Sequence, residues 1–247
     1  MGAATFYSRV GAYLLSRLGQ MKKIRKLAAA GQTEEKDRQI YALVSDLCQK
    51  AYRWSGVEMQ VTGLENIPAE TAVFVANHQS VFDALVMLDI VKDHGPFGFV
   101  MKKEFEKIPL LKSCCSLINC VFIDREHPRA AVKALKAASD HLKNGISMVI
   151  FPEGTRTKNY PVMADFKNGA FKIAQENKNP IVPVVIFDAG IRNEAAGKMS
   201  GGTIHVKVLP PVITETMSRA EYKNIADILN EQFKQELKAF HGDSYQD

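Results

Sequence analysis

An apolar run, Ala72-Val73-Phe74-Val75-Ala76, leads into the polar stretch Asn77-His78-Gln79-Ser80-Val81-Phe82-Asp83 and then into Ala84-Leu85-Val86-Met87-Leu88. The first run has the length and composition of a buried β-strand, and the last is typical of a helix. His78 and Asp83 therefore lie where a strand ends and a helix begins. Open α/β sheets place their functional sites at such crossover points. The pattern predicts an α/β fold with a site at this position.

The side chains of His78 and Asp83 suit proton transfer. Histidine titrates near neutrality, so an imidazole can take a proton from a hydroxyl and later return it. A carboxylate bonded to the other ring nitrogen fixes the tautomer and stabilises the imidazolium. Five residues of separation across a turn would let Asp83 fold back on His78. The alternative is a pair that is structural or merely solvated.

Length and composition fit an intracellular globular chain. The 247 residues are 46% hydrophobic and carry a formal net charge of +5. This length suits one α/β domain with an appendage, or at most two small domains. The six histidines include no HExxH pair, so no catalytic metal is expected. The cysteines form no CxxC pair and no metal-ligand spacing, which predicts reduced thiols. They are Cys48, Cys114, Cys115 and Cys120.

The first 32 residues combine apolar and basic side chains and contain no acidic one. No run approaches the roughly 18 apolar residues that span a bilayer, and the charges within the apolar pattern argue against a signal peptide. An amphipathic helix of this kind suits the plane of a membrane interface. The alternative is a helix that packs on the main domain. The apolar residues at helical spacing are Phe6, Val10, Tyr13, Leu14, Leu18 and Met21, and the basic residues are Arg9, Arg17, Lys22, Lys23, Arg25 and Lys26.

From residue 56 onward, apolar β-type runs alternate with helical patterns. We predict a mixed, mostly parallel sheet flanked by helices over residues 56–247, preceded by a two-helix amphipathic motif at the membrane interface over residues 1–55. The predicted strands are 57–62, 72–76, 97–101, 121–123, 146–151, 180–187 and 204–209. The predicted helices are 34–54, 83–91, 110–114, one that begins at Pro128 and stops at Asn144-Gly145, one entered through residues 166–172 after a polar loop at 157–165, and 218–240. The apolar face of the Pro128 helix includes Ala131, Val132, Leu135, Ala138 and Leu142, and one side of the last helix carries Ile225, Ile228, Leu229, Phe233 and Leu237.

Several predicted strands end in polar or charged residues. These ends are His78, Lys102-Lys103, Asp124-Arg125 and Glu153–Arg156. In an α/β layer such ends converge on one edge, where a base and several cations suggest a site for an anionic substrate such as a phosphate. Lys167, near a later helix start, is either another anion contact or a surface lysine.

Other catalytic and binding patterns are missing from the sequence. There is no GxSxG elbow, so a serine acyl-enzyme is not indicated. There is no GxGxxG, and Gly197-Lys198 lacks both the hydroxyl residue and the upstream glycine of a phosphate loop. Together with the amphipathic start, this weighs against a nucleotide- or nucleic-acid-binding protein.

These residues resemble the motifs of the glycerolipid acyltransferases, the lysophosphatidic acid acyltransferase group. His78-x4-Asp83 resembles the HX4D motif of that family, and Phe122-Ile123-Asp124-Arg125 its second signature. Phe151-Pro152-Glu153-Gly154-Thr155-Arg156 matches its third signature at every position, and Ile181-Val182-Pro183-Val184 is similar to its fourth. The motifs stand in the family's order and cover about residues 57 to 190. HX4D together with FPEGTR is highly specific, and the two N-terminal helices are similar to the interfacial anchor of the shorter bacterial members.

The resemblance implies a reaction without a cofactor. An acyl group would pass from coenzyme A or acyl carrier protein to the sn-2 hydroxyl of 1-acyl-glycerol-3-phosphate, giving phosphatidic acid in phospholipid synthesis. His78 would be the general base, oriented by Asp83, and no covalent enzyme intermediate is needed. Since substrate and product are membrane lipids, the protein is expected at the cytoplasmic face of a membrane, with no nucleic-acid partner.

Substrate binding is expected to involve cations and the third signature. Arg125, Arg156 and either Lys102 or Lys103 would hold the phosphate. Glu153 would help to shape the acceptor pocket and, because a phosphate repels it, would pair with an arginine or a glycerol hydroxyl. The complete expected set is Lys102, Lys103, Arg125, Glu153, Gly154, Thr155, Arg156 and Lys167.

Two other functions fit the same sequence. One is an acyltransferase that acts on glycerol-3-phosphate or on another lysolipid. The other is a non-catalytic lipid-binding or membrane-remodelling protein of the same fold. The presence of His78 and Asp83 beside the FPEGTR signature argues against the second, since binding alone needs no base.

Overall fold

The structure is a computed structural model that describes residues 1–157, 160–193 and 197–245. Residues 158 and 159 of the predicted polar loop, and the last two residues of the predicted 56–247 domain, lie outside the described residues. Within the described ranges, seven strands form one sheet. They are β1 (Val57–Thr62), β2 (Val73–Ala76), β3 (Phe97–Lys102), β4 (Val121–Ile123), β5 (Ser147–Ile150), β6 (Ile181–Phe187) and β7 (Gly202–Val208).

The sheet has the strand order β1-β7-β6-β2-β5-β3-β4. Neighbouring strands run parallel, except that β6 and β7 are antiparallel. This topology confirms the predicted mixed, mostly parallel sheet. It also places β2 near the centre, with β6 on one side and β5 on the other.

Helices cover both faces of the sheet. The part of the chain that the structure describes contains α1 (Ala3–Ser16), α2 (Leu18–Ala29), α3 (Thr33–Ser55), α4 (Phe82–Val91), α5 (Pro109–Cys115), α6 (Pro128–Lys143), α7 (Lys172–Asn177), α8 (Ala189–Asn193), α9 (Arg219–Lys223) and α10 (Ile225–His241).

The two faces of β2 belong to two separate core clusters. Phe74 packs with apolar residues of α1 to α4, whereas Val73 and Val75 pack with those of α6, α7 and α10. A strand covered on both faces must be apolar at every position, which explains the uninterrupted run at 72–76. The same burial holds the residues that follow β2 between two layers of helices.

The N-terminal segment forms two helices rather than the single one expected before residue 33. The chain turns at Arg17, whose guanidinium bonds Asp46 of α3 at 2.8 Å. The turn lets Phe6 of α1 and Met21 and Ile24 of α2 all enter the core that they share with the sheet. Much of the apolar stripe that was expected at the membrane interface is therefore packed on the domain. Within the described ranges, no helix combines the length and the apolar composition needed to cross a bilayer.

Two residues that were predicted on the apolar faces of helices are exposed instead. Val132 is 68% exposed on α6 and Ile228 is 48% exposed on α10. Successive helical residues turn by about 100°, and both side chains lie well off the buried stripe of their helices. The predicted helix 218–240 is also divided at Asn224 into α9 and α10.

Candidate active site

The polar ends of the parallel strands lie along one edge of the sheet. β2, β5, β3 and β4 are neighbours in this order and all run parallel, so the residues after each strand meet at the same edge. These residues are His78 after β2, Glu153 after β5 and Arg125 after β4. The predicted convergence is confirmed for these strands. β6 runs parallel to β2 and adds Asp188 to the edge.

His78 and Asp83 form the expected hydrogen bond. His78 Nδ1 lies 2.8 Å from Asp83 Oδ2, and the same oxygen accepts the backbone N–H groups of Gln79 at 2.6 Å and Ser80 at 2.8 Å. Asp83 is fully buried in the first turn of α4, where the helix dipole favours a carboxylate. With its proton on Nδ1, neutral His78 presents Nε2 as a base.

Two residues that restrain His78 and its backbone were not predicted as part of the site. The side-chain amide of Asn77 exchanges two hydrogen bonds of 2.8 Å with the backbone of Ile186 on β6. The ring of Phe151 stacks on the imidazole of His78, with 4.3 Å between centroids and 21° between planes. The available signals in the sequence were an amide residue at the end of a buried strand and an aromatic residue directly after the neighbouring strand. Both contacts restrict where the imidazole can point.

The side chain of Glu153 lies against the backbone of His78 rather than beside a cation. It is 1% exposed, one carboxylate oxygen accepts the backbone N–H of His78, and the other accepts that of Ala164 at 2.8 Å. Burial raises the pKa of Glu153 to about 7; the two backbone hydrogen bonds lower it, and the charge of Asp83 raises it. Of the two expected partners, the arginine is wrong, because the side chain turns inward; pairing with a glycerol hydroxyl stays a prediction. Glu153 instead links the first motif to the loop after the third.

Arg125 and Lys167 converge on Gly154. A Cβ built on Gly154 would lie 3.0 Å from Lys167 Nζ and 3.3 Å from Arg125 Nη1. Gly154 also has a φ of 78°, which favours glycine. Among the described ion pairs, neither cation has an acidic partner. Two cations brought together in this way attract an anion. Lys167 thus lies in the candidate site, and its role as an anion contact stays a prediction.

The other predicted cations are arranged differently. Lys102 pairs with Glu104 at 2.8 Å, and Lys103 pairs with Asp124 at 3.1 Å. Both lysine side chains are more than half exposed. Hydrogen bonds from His127 and Lys103 lower the pKa of Asp124 to about 2. Both lysines therefore pair with acidic residues, and the structure does not single out one of them as facing the site.

Thr155 and Arg156 follow Gly154 as exposed residues at the same edge. The next residue, Thr157, donates its backbone N–H to the carbonyl of His78 at 2.8 Å. The residue that follows the third signature is thereby tied directly to His78. Among the residues that the structure describes, no three His, Cys, Asp or Glu side chains cluster in a way that would hold a metal ion.

An apolar cavity of about 230 Å³ is lined by residues of α4, of the N-terminal helices and of the segment from β3 to β4. Its wall includes Ala84, which directly follows Asp83, and continues along α4 through Leu85 and Leu88. The N-terminal helices close it from the other side with residues such as Leu14 and Leu43. Since its lining is entirely apolar, the cavity suits a hydrocarbon chain.

Comparison with known proteins places these features in a family. Residues 58–187 match the family model described as Acyltransferase. The chain is 31% identical over 186 residues to the 1-acyl-sn-glycerol-3-phosphate acyltransferase of Saccharomyces cerevisiae, covering 74% of this chain and 61% of that protein. It is 29% identical over 196 residues to the protein of the same name from Borreliella burgdorferi, covering 77% of this chain and 76% of that protein. The chain therefore spans less than two thirds of the yeast relative.

A solved structure is similar over nearly the whole chain. It is the crystal structure of the 1-acyl-sn-glycerophosphate acyltransferase PlsC from Thermotoga maritima, with a TM-score of 0.82 and 26% sequence identity. The match covers 99% of this chain and 96% of the other. The similarity therefore includes the three N-terminal helices as well as the sheet.

Proposed function

We propose that this chain, which belongs to the acyltransferase family, transfers a fatty acyl group from an acyl thioester to the sn-2 hydroxyl of 1-acyl-sn-glycerol-3-phosphate and so produces phosphatidic acid. The observation that carries this proposal is the 2.8 Å bond between His78 Nδ1 and Asp83 Oδ2. It lies at the sheet edge where Arg125 and Lys167 converge. The names of the yeast and Thermotoga relatives support the choice of acceptor.

The chemistry follows from Nε2 of His78, the ring nitrogen that is not bonded to Asp83. This nitrogen takes the proton of the acceptor hydroxyl while the hydroxyl oxygen attacks the thioester carbonyl. Asp83 stabilises the imidazolium that forms. The tetrahedral intermediate then collapses to the ester and expels the thiolate, which receives the proton from His78. The acceptor hydroxyl thus takes the place of a nucleophilic serine.

The acceptor phosphate binds beside Gly154. Arg125 presents a planar fork of donors to it, and Lys167 adds a second positive charge. Arg156, two residues from Gly154, is at the same edge. Glu153 acts beneath this surface by holding the backbone of His78.

The acyl chain of the donor occupies the apolar cavity. Its wall includes Ala84, which directly follows Asp83 in the sequence, and in the proposal the thioester lies at this end of the cavity. The donor is an acyl thioester of coenzyme A or of acyl carrier protein. The enzyme needs no further cofactor, because the base, the anion site and the acyl pocket are all supplied by side chains.

Membrane contact is made by the outer surface of α1 and α2. Leu15 is 56% exposed and Leu18 is 43% exposed, and the basic residues Arg9, Lys22 and Lys26 of the same two helices are exposed as well. Each basic residue contributes about 1 kcal/mol near an anionic lipid surface. A peripheral position on the cytoplasmic leaflet would deliver the lysolipid acceptor to the site.

Acceptor specificity tests the proposal. The purified protein is mixed in detergent micelles with acyl-CoA or acyl carrier protein and, in separate reactions, with 1-acyl-glycerol-3-phosphate, glycerol-3-phosphate or a lysophosphatidylcholine. We expect phosphatidic acid from the first acceptor and much slower acylation of the others. Preferred acylation of another acceptor would replace the substrate in the proposal. Absence of product with every pair would favour the non-catalytic lipid-binding function.

A further inference from the structure

The segment 154–167, here called the anion loop, begins at Gly154 and ends at Lys167, and the structure describes all of it except residues 158 and 159. Both ends are hydrogen-bonded to residues at or near His78. Thr157 N–H donates to the carbonyl of His78 at 2.8 Å. Near the other end, Ala164 N–H donates to Glu153 at 2.8 Å, and Lys167 N–H donates to the carbonyl of Pro152 at 3.0 Å. These hydrogen bonds hold the two described ends of the anion loop close to His78.

Tyr160 fastens the middle of the anion loop to groups outside the site. Its hydroxyl donates a hydrogen bond to Asp188, and His241 Nε2 lies 3.3 Å from the same hydroxyl oxygen. Asp188 directly follows β6, and His241 ends α10. The ring of Tyr160 packs on Gly190, where a Cβ would lie 3.0 Å from Tyr160 Cδ2. Tyr160 thus joins the loop to a strand end and to the C-terminal helix.

The hydrogen bonds of this cluster have defined directions. The single hydroxyl proton of Tyr160 goes to Asp188, so the hydroxyl oxygen is left as an acceptor and neutral His241 must carry its proton on Nε2. The side chains of His241 and Asp188 are only 9% and 18% exposed. Asp188 reaches Tyr160 from a left-handed backbone conformation, with a φ of 63°, which aspartate tolerates better than most residues. A buried and mutually satisfied cluster of this kind restrains the atoms that it joins.

We propose that Tyr160, held by Asp188 and His241, is a positioning residue that sets the anion loop for the acceptor phosphate. The inference rests on the proposed function. The His78–Asp83 bond and the apolar cavity do not include Tyr160. Loss of its hydroxyl should therefore loosen phosphate binding and leave the base intact. Weaker binding without a change in chemistry appears as a raised KM at constant kcat.

Tyr160→Phe removes only the hydroxyl, and Tyr13→Phe is a matched control. Tyr13 also donates to a carboxylate, that of Asp46 at 2.8 Å, but it joins α1 to α3 away from the anion loop. For Tyr160→Phe we expect the KM for 1-acyl-glycerol-3-phosphate to rise about tenfold, with kcat changed by less than about twofold. Tyr13→Phe should leave both constants unchanged. Asp188→Asn keeps an acceptor oxygen for the hydroxyl and should therefore raise the KM less than Tyr160→Phe does.

Amide hydrogen exchange measures the loop without any substrate. Residues 162–167 should exchange faster in Tyr160→Phe than in the wild type or in Tyr13→Phe. Unchanged exchange and an unchanged KM in Tyr160→Phe would overturn the positioning role. So would an equal rise in KM for Tyr13→Phe, since it would reflect general destabilisation. If the wild type forms no phosphatidic acid, the proposed function fails. Faster exchange in Tyr160→Phe would then still support the inference that the Tyr160 hydroxyl restrains the anion loop.

Discussion

Replacement of Glu153 by glutamine should remove a pH dependence of stability that the wild type carries. Glu153→Gln keeps the size of the side chain and abolishes its titration. In the wild type the carboxylate is 1% exposed and bonds the backbone of His78 and Ala164. Glutamine retains one acceptor oxygen, but its NH2 group must face one of the two N–H donors, so one hydrogen bond is lost.

The magnitude follows from the pKa of Glu153. Burial raises it from an ordinary 4.5 to about 7. Between these values the folded protein holds a proton that the unfolded chain has released. The stabilisation is therefore complete below pH 4.5 and is lost as the pH rises through 7. At about 1.4 kcal/mol per pH unit, the wild type should lose about 3 kcal/mol relative to Glu153→Gln across this range.

Urea unfolding of both proteins at intervals from pH 4.5 to pH 8 provides the assay. Equal m values would show that both unfold from similarly compact states. We expect the free energy of unfolding of the wild type, minus that of Glu153→Gln, to fall steadily with rising pH and to level off above pH 7. A difference that stays constant with pH would refute the argument that burial dominates the ionisation of Glu153.

Three further substitutions probe the cations beside Gly154, the stretch of residues 77–83 and the apolar cavity. Gly154→Ala places a Cβ 3.0 Å from Lys167 Nζ in a left-handed conformation, so acylation kinetics should show an acceptor KM raised by at least about tenfold. Asn77→Ala leaves the buried backbone groups of Ile186 without partners, and urea unfolding should show a loss of about 2–4 kcal/mol. Leu88→Phe fills part of the apolar cavity, and competition between acyl-CoA chain lengths should shift toward shorter chains; an unchanged chain-length profile would contradict donor binding in the cavity.

The central part of the fold and of the site was predictable from local pattern. The apolar run of β2 and the helical run of α4 each carry a clear signature, and strand ends meet at one edge once the sheet is parallel. The bond between His78 and Asp83 spans only five residues and one turn. Its geometry therefore depends on local chain direction, which the strand and helix assignments already contain.

Contacts between distant parts of the chain were not predictable in the same way. The inward turn of Glu153 depends on the backbone of His78, which is 75 residues away. Tyr160 meets His241 across 81 residues, and no periodicity in either segment indicates this contact. The turn at Arg17 likewise follows from its bond to Asp46 and from the packing of α1 and α2 on one core. In each case the conformation is chosen by tertiary packing rather than by local propensity.

The most direct measurement compares phosphatidic acid formation by the wild type, His78→Ala and His94→Ala, with 1-acyl-glycerol-3-phosphate and an acyl thioester as substrates. His94 is an exposed histidine in the turn before β3, away from the carboxyl ends of the strands, and it controls for loss of an imidazole as such. We predict activity for the wild type and His94→Ala, and a rate lower by about 10²–10⁴ for His78→Ala, the usual contribution of a general base. Equal rates in all three proteins would contradict the assignment of His78 as the base.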